Sequence, residues 1–244
     1  YAAAHTRAVV LGAAVVTLLG AAAGHAGGPL LTGVAKDFPA AQALAAAEGR
    51  PVLLEFSAEW CGPCQKFARE SKTSPIIQKG LESVVFHPLD AEKAEGLELA
   101  KPFNVKNYPT FILTNAKGET IDRWLGYSTP EGWEKSLTLA VADPTTVEEK
   151  KARFAAKPTA QDAAQLGRIS AARRDHAEAL KLYEQAQSLS GGASNYAYPI
   201  FEQKADLYLD GKKDVTLDAV NQAAGVALAA PAVTVQEKVD LAFG

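Results

Sequence analysis

The sequence has only two cysteines, no excess of basic residues and no long run of like charge. Two cysteines cannot build a structural disulfide framework for a chain of 244 residues, which is long enough to bury a real core. The formal net charge of −3 and the 22% of charged residues describe an ordinary soluble surface. These values give no support to nucleic-acid binding.

The first residues differ from the rest of the chain. His5 and Arg7 precede an apolar stretch over residues 8–23, and small residues follow to position 27. A basic start, an apolar centre and a small-residue zone are typical of a secretory signal. Two glycines and a threonine interrupt the apolar stretch, which is short for a membrane-spanning helix. We expect residues 1–28 to be a signal peptide or an uncleaved anchor, and the rest to be extracytoplasmic, either periplasmic or secreted.

The two cysteines lie two residues apart, in the segment Trp60-Cys61-Gly62-Pro63-Cys64. A strand-like run precedes them and a helix-like run follows. The unpaired N–H groups at a helix N-terminus stabilise a thiolate at Cys61. A thiolate attacks a substrate disulfide and a second thiol resolves the mixed disulfide, so the pair predicts redox chemistry. Half of a zinc site is the alternative, but zinc takes about four ligands and the four histidines show no ligand spacing.

The order of elements up to residue 142 predicts an α/β fold. We expect a helix at 40–48, strands at 52–57 and 84–86, helices at 65–72, 74–81 and 91–100, a hairpin of strands 110–114 and 120–124, and a closing helix at 130–142. The first two strands should be parallel because a helix separates them. This order predicts a mixed central sheet with helices on both faces.

Strand signals disappear after residue 142, and Asp143-Pro144 reads as a domain boundary. We therefore expect an α/β domain over residues 29–142 and an all-helical domain over residues 143–244. Residues in the helical part occur at the spacing of a tetratricopeptide helical hairpin: Leu166-Gly167 in a first helix, and Ala179, Tyr183 and Ala186 in a second. One such hairpin is not an array, although residues 195–228 could form a second. The expected breaks are at Pro158, Gly191-Gly192, Gly211 and Pro231.

Residues 34–141 resemble a thioredoxin domain. The segment 59–64 reproduces the thioredoxin active-site loop, and Tyr108-Pro109-Thr110 stands where the family has its cis-proline loop. The signal-like start and residues 71–81 are more similar to the exported thioredoxin-like reductases. The resemblance implies a thioredoxin fold and exported thiol-disulfide oxidoreductase activity. It also implies protein disulfides as substrates, a membrane or soluble thiol as electron donor, and no cofactor beyond the cysteine pair.

The resemblance also assigns roles to residues. It makes Cys61 the attacking thiol and Cys64 the resolving one, with Gly62-Pro63 allowing the tight turn between them. It makes Glu55 a buried carboxylate that assists proton transfer, and burial should raise the pKa of this group. The alternative for Glu55 is a carboxylate at the strand end that reaches solvent. Where thioredoxin has a lysine near this carboxylate, the sequence has Phe86.

The residues expected to bind substrate are Trp60, Tyr108, Pro109 and Thr110. The backbone beside a cis Pro109 would pair with a substrate chain like an added strand. The Gly-Pro dipeptide between the cysteines resembles the reducing members of the family, so a reductase is expected. An oxidase or isomerase would use the same residues. The alternative that is not an enzyme is an interaction module, whose helical domain recruits a protein partner.

Overall fold

The structure, a computed structural model, describes residues 35–192 and 196–230. The expected signal or anchor segment lies outside these residues. Four strands form the sheet: β1 Val52–Ser57, β2 Val85–Asp90, β3 Thr110–Thr114 and β4 Thr120–Leu125. The described helices are α1 Phe38–Glu48, α2 Gly62–Glu70, α3 Pro75–Leu81, α4 Ala94–Ala100, α5 Pro130–Ala142, α6 Val147–Ala156, α7 Ala160–Ala171, α8 His176–Leu189, α9 Ala197–Leu209 and α10 Leu217–Ala229.

The four strands form one mixed sheet in the order β2-β1-β3-β4. Strand β1 pairs parallel with β2, while the pairs β1–β3 and β3–β4 are antiparallel. The parallel pair and the hairpin expected from the sequence are therefore confirmed. Strand β1 is central and covered on both faces, which explains its continuous apolar sequence.

Two hydrophobic cores cover the two faces of the sheet. Helices α2, α3 and α5 supply Phe67, Ile77 and Trp133 to one core, which Leu53 enters from β1. Helix α1 supplies Phe38 to the other core, where Leu54 comes from β1. Successive strand residues point to opposite faces, so neighbouring leucines enter different cores. The thioredoxin fold, with helices on both faces of a mixed sheet, is confirmed.

Some boundaries differ from the expected ones for local reasons. Helix α2 begins at Gly62 rather than at residue 65 because Cys61 already caps it. Strand β2 runs on to Asp90 rather than ending at residue 86, since its pairing with β1 continues through Leu89. Helix α4 begins at Ala94, after a turn in which the Asp90 carboxylate accepts the backbone N–H of Glu92 at 3.0 Å.

Residues beyond α5 are helical as far as the structure describes them. The expected breaks at Pro158 and Gly211 separate α6 from α7 and α9 from α10, and Gly191-Gly192 lies just beyond the end of α8, while Pro231 lies outside the described residues. Helices α7 and α8 form a hairpin in which Gly167 faces the Tyr183 ring, and an added Cβ would lie 3.2 Å from it. The close helix approach expected at this spacing is present. Membership of the tetratricopeptide family stays a prediction.

Helices α6 and α7 pack directly against β4. Lys150 of α6 is fully buried, and its ammonium donates to the backbone carbonyls of Ile121 at 3.1 Å and of Asp143 at 3.0 Å. The helical part is thus attached to the edge of the sheet by a buried charge. Within residues 35–192 and 196–230, no helix combines the length and apolar character needed to span a membrane.

Candidate active site

The cysteine pair lies at the N-terminus of α2. Cys61 is the N-cap residue and Cys64 is the third residue of the helix, with Pro63 in the first turn, where a missing N–H costs no hydrogen bond. The two sulfurs are joined as a disulfide, so the structure represents the oxidised form. The Cys61 sulfur also accepts the backbone N–H of Cys64 at 3.2 Å. The helix terminus therefore directs a donor at the sulfur where a thiolate would form.

Both cysteines are nearly buried in this form. Cys61 is 4% exposed and Cys64 is 3% exposed, so exposure does not distinguish an outer sulfur from an inner one. Their positions on α2 do distinguish them, because only the N-cap sulfur faces the unpaired helix N–H groups. The assignment of Cys61 as attacking thiol and Cys64 as resolving thiol stays a prediction.

Glu55 is buried in the middle of β1, where it is 4% exposed. It lies two residues after Leu53, so its side chain points towards the core that contains Phe67 of α2. Its Oε1 atom has no hydrogen-bond partner within the described residues. Burial raises the pKa of Glu55 to about 8, which confirms the expected direction. The solvent-reaching alternative for this carboxylate is therefore wrong.

The surroundings of Glu55 contain little to compensate its charge. Its neighbours across the sheet are Pro88 on β2 and Phe111 on β3. Phe86, at the position where the family has a lysine, lies opposite Leu53 and contacts the Phe67 ring at 6.2 Å. An apolar ring thus occupies the place of a cation. Glu55 can hold a proton at neutral pH, and its role as a general base stays a prediction.

The Tyr108–Pro109 peptide bond is cis, as expected. Tyr108 packs with Ala58 and both cysteines in one small cluster, which places the loop beside the disulfide. The Pro109 carbonyl accepts the backbone N–H of Gly126 at 2.8 Å. The loop that is expected to bind substrate therefore lies against the cysteine pair.

Thr110 occupies a different place from the other residues expected to bind substrate. It is 1% exposed in β3, and its hydroxyl donates to the Asn107 carbonyl at 2.6 Å. Its side chain therefore holds the loop from inside, and contact with substrate stays a prediction for this residue.

Trp60 is the most exposed aromatic residue at the site, with 70% of its surface accessible. Its indole ring lies 5.9 Å from the Tyr108 ring, and its Nε1 donates to the Glu92 carboxylate at 3.0 Å. The neighbouring Glu59 accepts from Lys93 at 2.9 Å. Two adjacent residues of the active-site loop are thus linked to two adjacent residues after β2. Sequence reasoning missed Glu92 and Lys93 because neither carries a motif.

The alternative that the cysteines belong to a metal site has no candidate ligand cluster in the part of the chain that the structure describes. No group of three or more His, Cys, Asp or Glu residues in this part could hold a metal ion. The two described histidines have other partners, His87 with Glu95 at 3.0 Å and His176 with Gln203 at 2.9 Å. His5 and His25 lie outside the described residues.

Comparison with known proteins places this geometry in context. Residues 38–140 match the family model described as Thioredoxin-like domain. The thiol:disulfide interchange protein DsbD of Cronobacter sakazakii is 37% identical over 82 residues, which are 33% of this chain and 14% of that protein. DsbD of Yersinia enterocolitica is 34% identical over 106 residues, or 41% of this chain and 18% of that protein.

This chain thus spans less than a fifth of the length of these curated relatives. Among solved structures, a thioredoxin from Thermus thermophilus is 29% identical, with a TM-score of 0.39 over 43% of this chain and 84% of that one.

Proposed function

We propose that this chain, which contains a thioredoxin-like domain over residues 38–140, is a thiol-disulfide oxidoreductase that acts on protein disulfides. The observation that carries the proposal is the Cys61–Cys64 disulfide at the N-terminus of α2, beside the cis Tyr108–Pro109 loop. A helix N-terminus stabilises a cysteine sulfur as a thiolate, which can attack a substrate disulfide. A neighbouring cysteine can then attack the mixed disulfide and release the substrate.

The reaction balances as a two-electron exchange. In the reduced enzyme, the Cys61 thiolate attacks one sulfur of the substrate disulfide and forms a mixed disulfide, while the other substrate sulfur leaves as a thiolate and takes up a proton. Cys64 then loses its proton and attacks the Cys61 sulfur. The second substrate sulfur leaves as a thiolate and takes up a proton, and the enzyme is left with the Cys61–Cys64 disulfide. Glu55, buried on the same side of the sheet as α2, would accept the Cys64 proton in those molecules in which its carboxyl is ionised, a fraction that grows as pH approaches its pKa of about 8.

The structure represents the oxidised product of this reaction, so repeated turnover requires a dithiol that reduces it again. We propose a membrane or soluble thiol donor for this step. The name of the DsbD relatives, thiol:disulfide interchange protein, supports exchange with other thiols and does not identify this donor. We also propose that the chain acts as a reductase, because Gly62-Pro63 resembles the reducing members of the family.

Insulin reduction by the reduced protein, with dithiothreitol as donor, tests the activity. Cys61→Ser should abolish turnover, and Cys64→Ser should retain the first attack and accumulate a mixed disulfide with insulin. Circular dichroism of both variants checks that the fold persists. Activity that survives in Cys61→Ser would contradict the proposal and favour the interaction-module alternative.

Equilibration of the cysteine pair with glutathione tests the direction. A potential below that of the glutathione couple supports a reductase. A potential well above it would overturn the direction and favour an oxidase or isomerase with the same residues.

We further propose that the protein works outside the cytoplasm, on the pattern of residues 1–28. Fusion of this segment to alkaline phosphatase, which is active only after export, tests the location. A fusion that stays inactive while the phosphatase accumulates would contradict it.

A further inference from the structure

Arg123 of β4 is almost completely buried although it carries a charge. It is 1% exposed, and its neighbour across the sheet is Ile112, which belongs to the core on the α1 and α4 face. Its guanidinium donates from Nη1 to the Phe103 carbonyl at 2.9 Å and from Nη2 to the Asn104 carbonyl at 3.4 Å. Both carbonyls belong to the segment 101–109, which leads from α4 to the cis proline.

Strand β4 and the residue directly after it hold both ends of this segment. Arg123 binds the carbonyls near its start, and three residues later the backbone N–H of Gly126 donates to the Pro109 carbonyl at 2.8 Å. Asn104 has a φ of 50°, in the left-handed region, so the chain turns sharply where Arg123 binds it. Arg123 therefore fixes the direction in which the chain approaches Tyr108.

Among residues 35–192 and 196–230, no acidic side chain pairs with this buried arginine. The groups that act on it are its buried surroundings and Arg173 of the α7–α8 turn, another cation, and together they lower the pKa of Arg123 to about 10. Its Nε has no hydrogen-bond partner within the described residues. A buried charge without a counter-ion is costly, and stability alone would favour an apolar residue here. What an apolar residue could not provide here is the pair of hydrogen bonds from the guanidinium to the Phe103 and Asn104 carbonyls.

We propose that Arg123 is a positioning residue that holds the Tyr108-Pro109 backbone in the geometry needed to bind a polypeptide substrate. This proposal rests on the proposed function, because it concerns the substrate loop of that site. Arg123 donates to the backbone of the segment before the cis proline and makes no hydrogen bond to the sulfurs, which pack against Ala58 and the Tyr108 side chain. Its loss should therefore impair reaction with a protein disulfide and spare reaction with a small disulfide that has no backbone to pair.

The test compares two substrates across four proteins. Insulin supplies a protein disulfide, and hydroxyethyl disulfide supplies one without peptide groups. The full-length reduced chain is assayed as wild type, Arg123→Met, Arg123→Lys and Arg50→Met. Arg50→Met is the matched control, because Arg50 also donates to two carbonyls, those of Glu82 at 2.8 Å and Val84 at 2.9 Å, in a different loop. It differs in being partly exposed and in pairing with the Glu48 carboxylate.

The Arg123→Met variant should lose about tenfold or more in kcat/KM for insulin, the factor expected for one charge-assisted hydrogen bond. Its rate with hydroxyethyl disulfide should stay within about twofold of wild type, as for a change away from the reacting atoms. Arg123→Lys should recover part of the insulin rate, since an ammonium can donate to the same carbonyls. Equal loss on both substrates, no loss on insulin, or the same loss in Arg50→Met would overturn the proposal.

Hydrogen exchange separates this proposal from the proposed function. If the wild type reacts with neither disulfide, the proposed oxidoreductase activity is refuted. The positioning of the loop by Arg123 is then tested by the exchange of backbone amides. In Arg123→Met the amides of residues 103–108 should exchange faster than in wild type, whereas in Arg50→Met they should not. The Phe103 ring still packs against Phe56 at 6.0 Å, which favours folding of the variant. Unchanged exchange in both Arg123 variants would refute the positioning role.

Discussion

Replacement of Glu55 by glutamine should change how the stability of the protein depends on pH. The pKa of this carboxyl is about 8 in the folded chain against 4.5 for the ordinary group. Between these values the folded state keeps the proton and the unfolded state has lost it. The unfolded state then binds fewer protons, so the free energy of unfolding falls as pH rises through this window.

The size of the effect follows from the two pKa values. One pH unit within the window lowers the free energy of unfolding by about 1.4 kcal/mol. Over the interval from 4.5 to about 8 the loss reaches about 5 kcal/mol, an upper bound because water can enter around a carboxylate. Above the folded pKa the loss levels off. Glutamine has nearly the same shape and does not ionise, so Glu55→Gln should lack this slope.

Urea unfolding of the oxidised protein between pH 4.5 and pH 8.5, followed by circular dichroism, measures this difference. Glu59→Gln is the matched control, because Glu59 is 83% exposed and its loss should leave the slope unchanged. Parallel profiles for wild type and Glu55→Gln would show that Glu55 is ionised in the folded state at neutral pH. The argument that burial raises the pKa of Glu55 would then be wrong.

The same variant tests the proposed proton transfer. The Cys64 thiol must lose a proton before it resolves the mixed disulfide, and a positioned base accelerates such a step by about a hundredfold or more. The mixed disulfide with insulin should therefore live longer in Glu55→Gln, while the first attack by Cys61 keeps its rate. Single-turnover kinetics with acid quenching separates the two steps. An unchanged lifetime would remove Glu55 from the mechanism.

Two further predictions concern the helical part and the rim of the site. Asp122 is fully buried and pairs with Arg168 of α7, so Asp122→Asn should cost about 3 kcal/mol, at the low end for a buried pair because Arg168 is partly exposed. Urea unfolding checks this, and a loss below about 1 kcal/mol would mean that the pair does not fasten α7 to β4. Trp60→Ala should change stability by less than about 0.5 kcal/mol, because the side chain is exposed. It should raise the KM for insulin, and an unchanged KM would contradict its role at the rim.

Local signals account for the elements that the sequence predicted with correct bounds. Strands β1 and β3 and helix α5 match at both ends. Helix α5 begins where the Thr129 hydroxyl accepts the Gly132 N–H, with Pro130 in its first turn. The hairpin turns where the Asn115 side chain accepts two backbone N–H groups and Gly118 has a φ of 84°. These residue types carry their structural preference within a few positions, which a sequence pattern can detect.

Strand β2 was predicted too short because its extent depends on a distant partner. His87 and Pro88 do not favour a strand by composition, and Pro88 cannot donate to a ladder. Its second half is fixed by parallel pairing with β1, in a register that no local pattern encodes. This pairing places Pro88 opposite Glu55. The environment of the buried carboxyl therefore could not be predicted from the sequence either.

The burial of certain charged side chains was not predicted from the sequence, for a related reason. Lys150, Asp122 and Arg123 are charged residues in helical or strand contexts, which most often face solvent. The burial of Lys150 and Asp122 follows from the packing of α6 and α7 on β4, which joins residues 29 and 46 positions apart along the chain. Arg123 is buried on the opposite face of β4, under the segment that carries Phe103 and Asn104. The boundary predicted at residue 143 marks a change of composition. It does not describe how the two parts are joined.

Strand β4 connects the helical part to the site. The Asp122 side chain binds Arg168, and the Ile121 carbonyl accepts from Lys150, while Arg123 holds the loop that carries the cis proline. Separation of α6 and α7 from β4 would leave Lys150 without its carbonyl from β4 and Asp122 without its guanidinium. The separated charges would be hydrated, but each of these charge-assisted contacts contributes about 1.5–3 kcal/mol, which is several times thermal energy. These helices should therefore stay attached to β4 during turnover, which argues against a loosely tethered recruiting module and for a support of the strand on which the substrate loop depends.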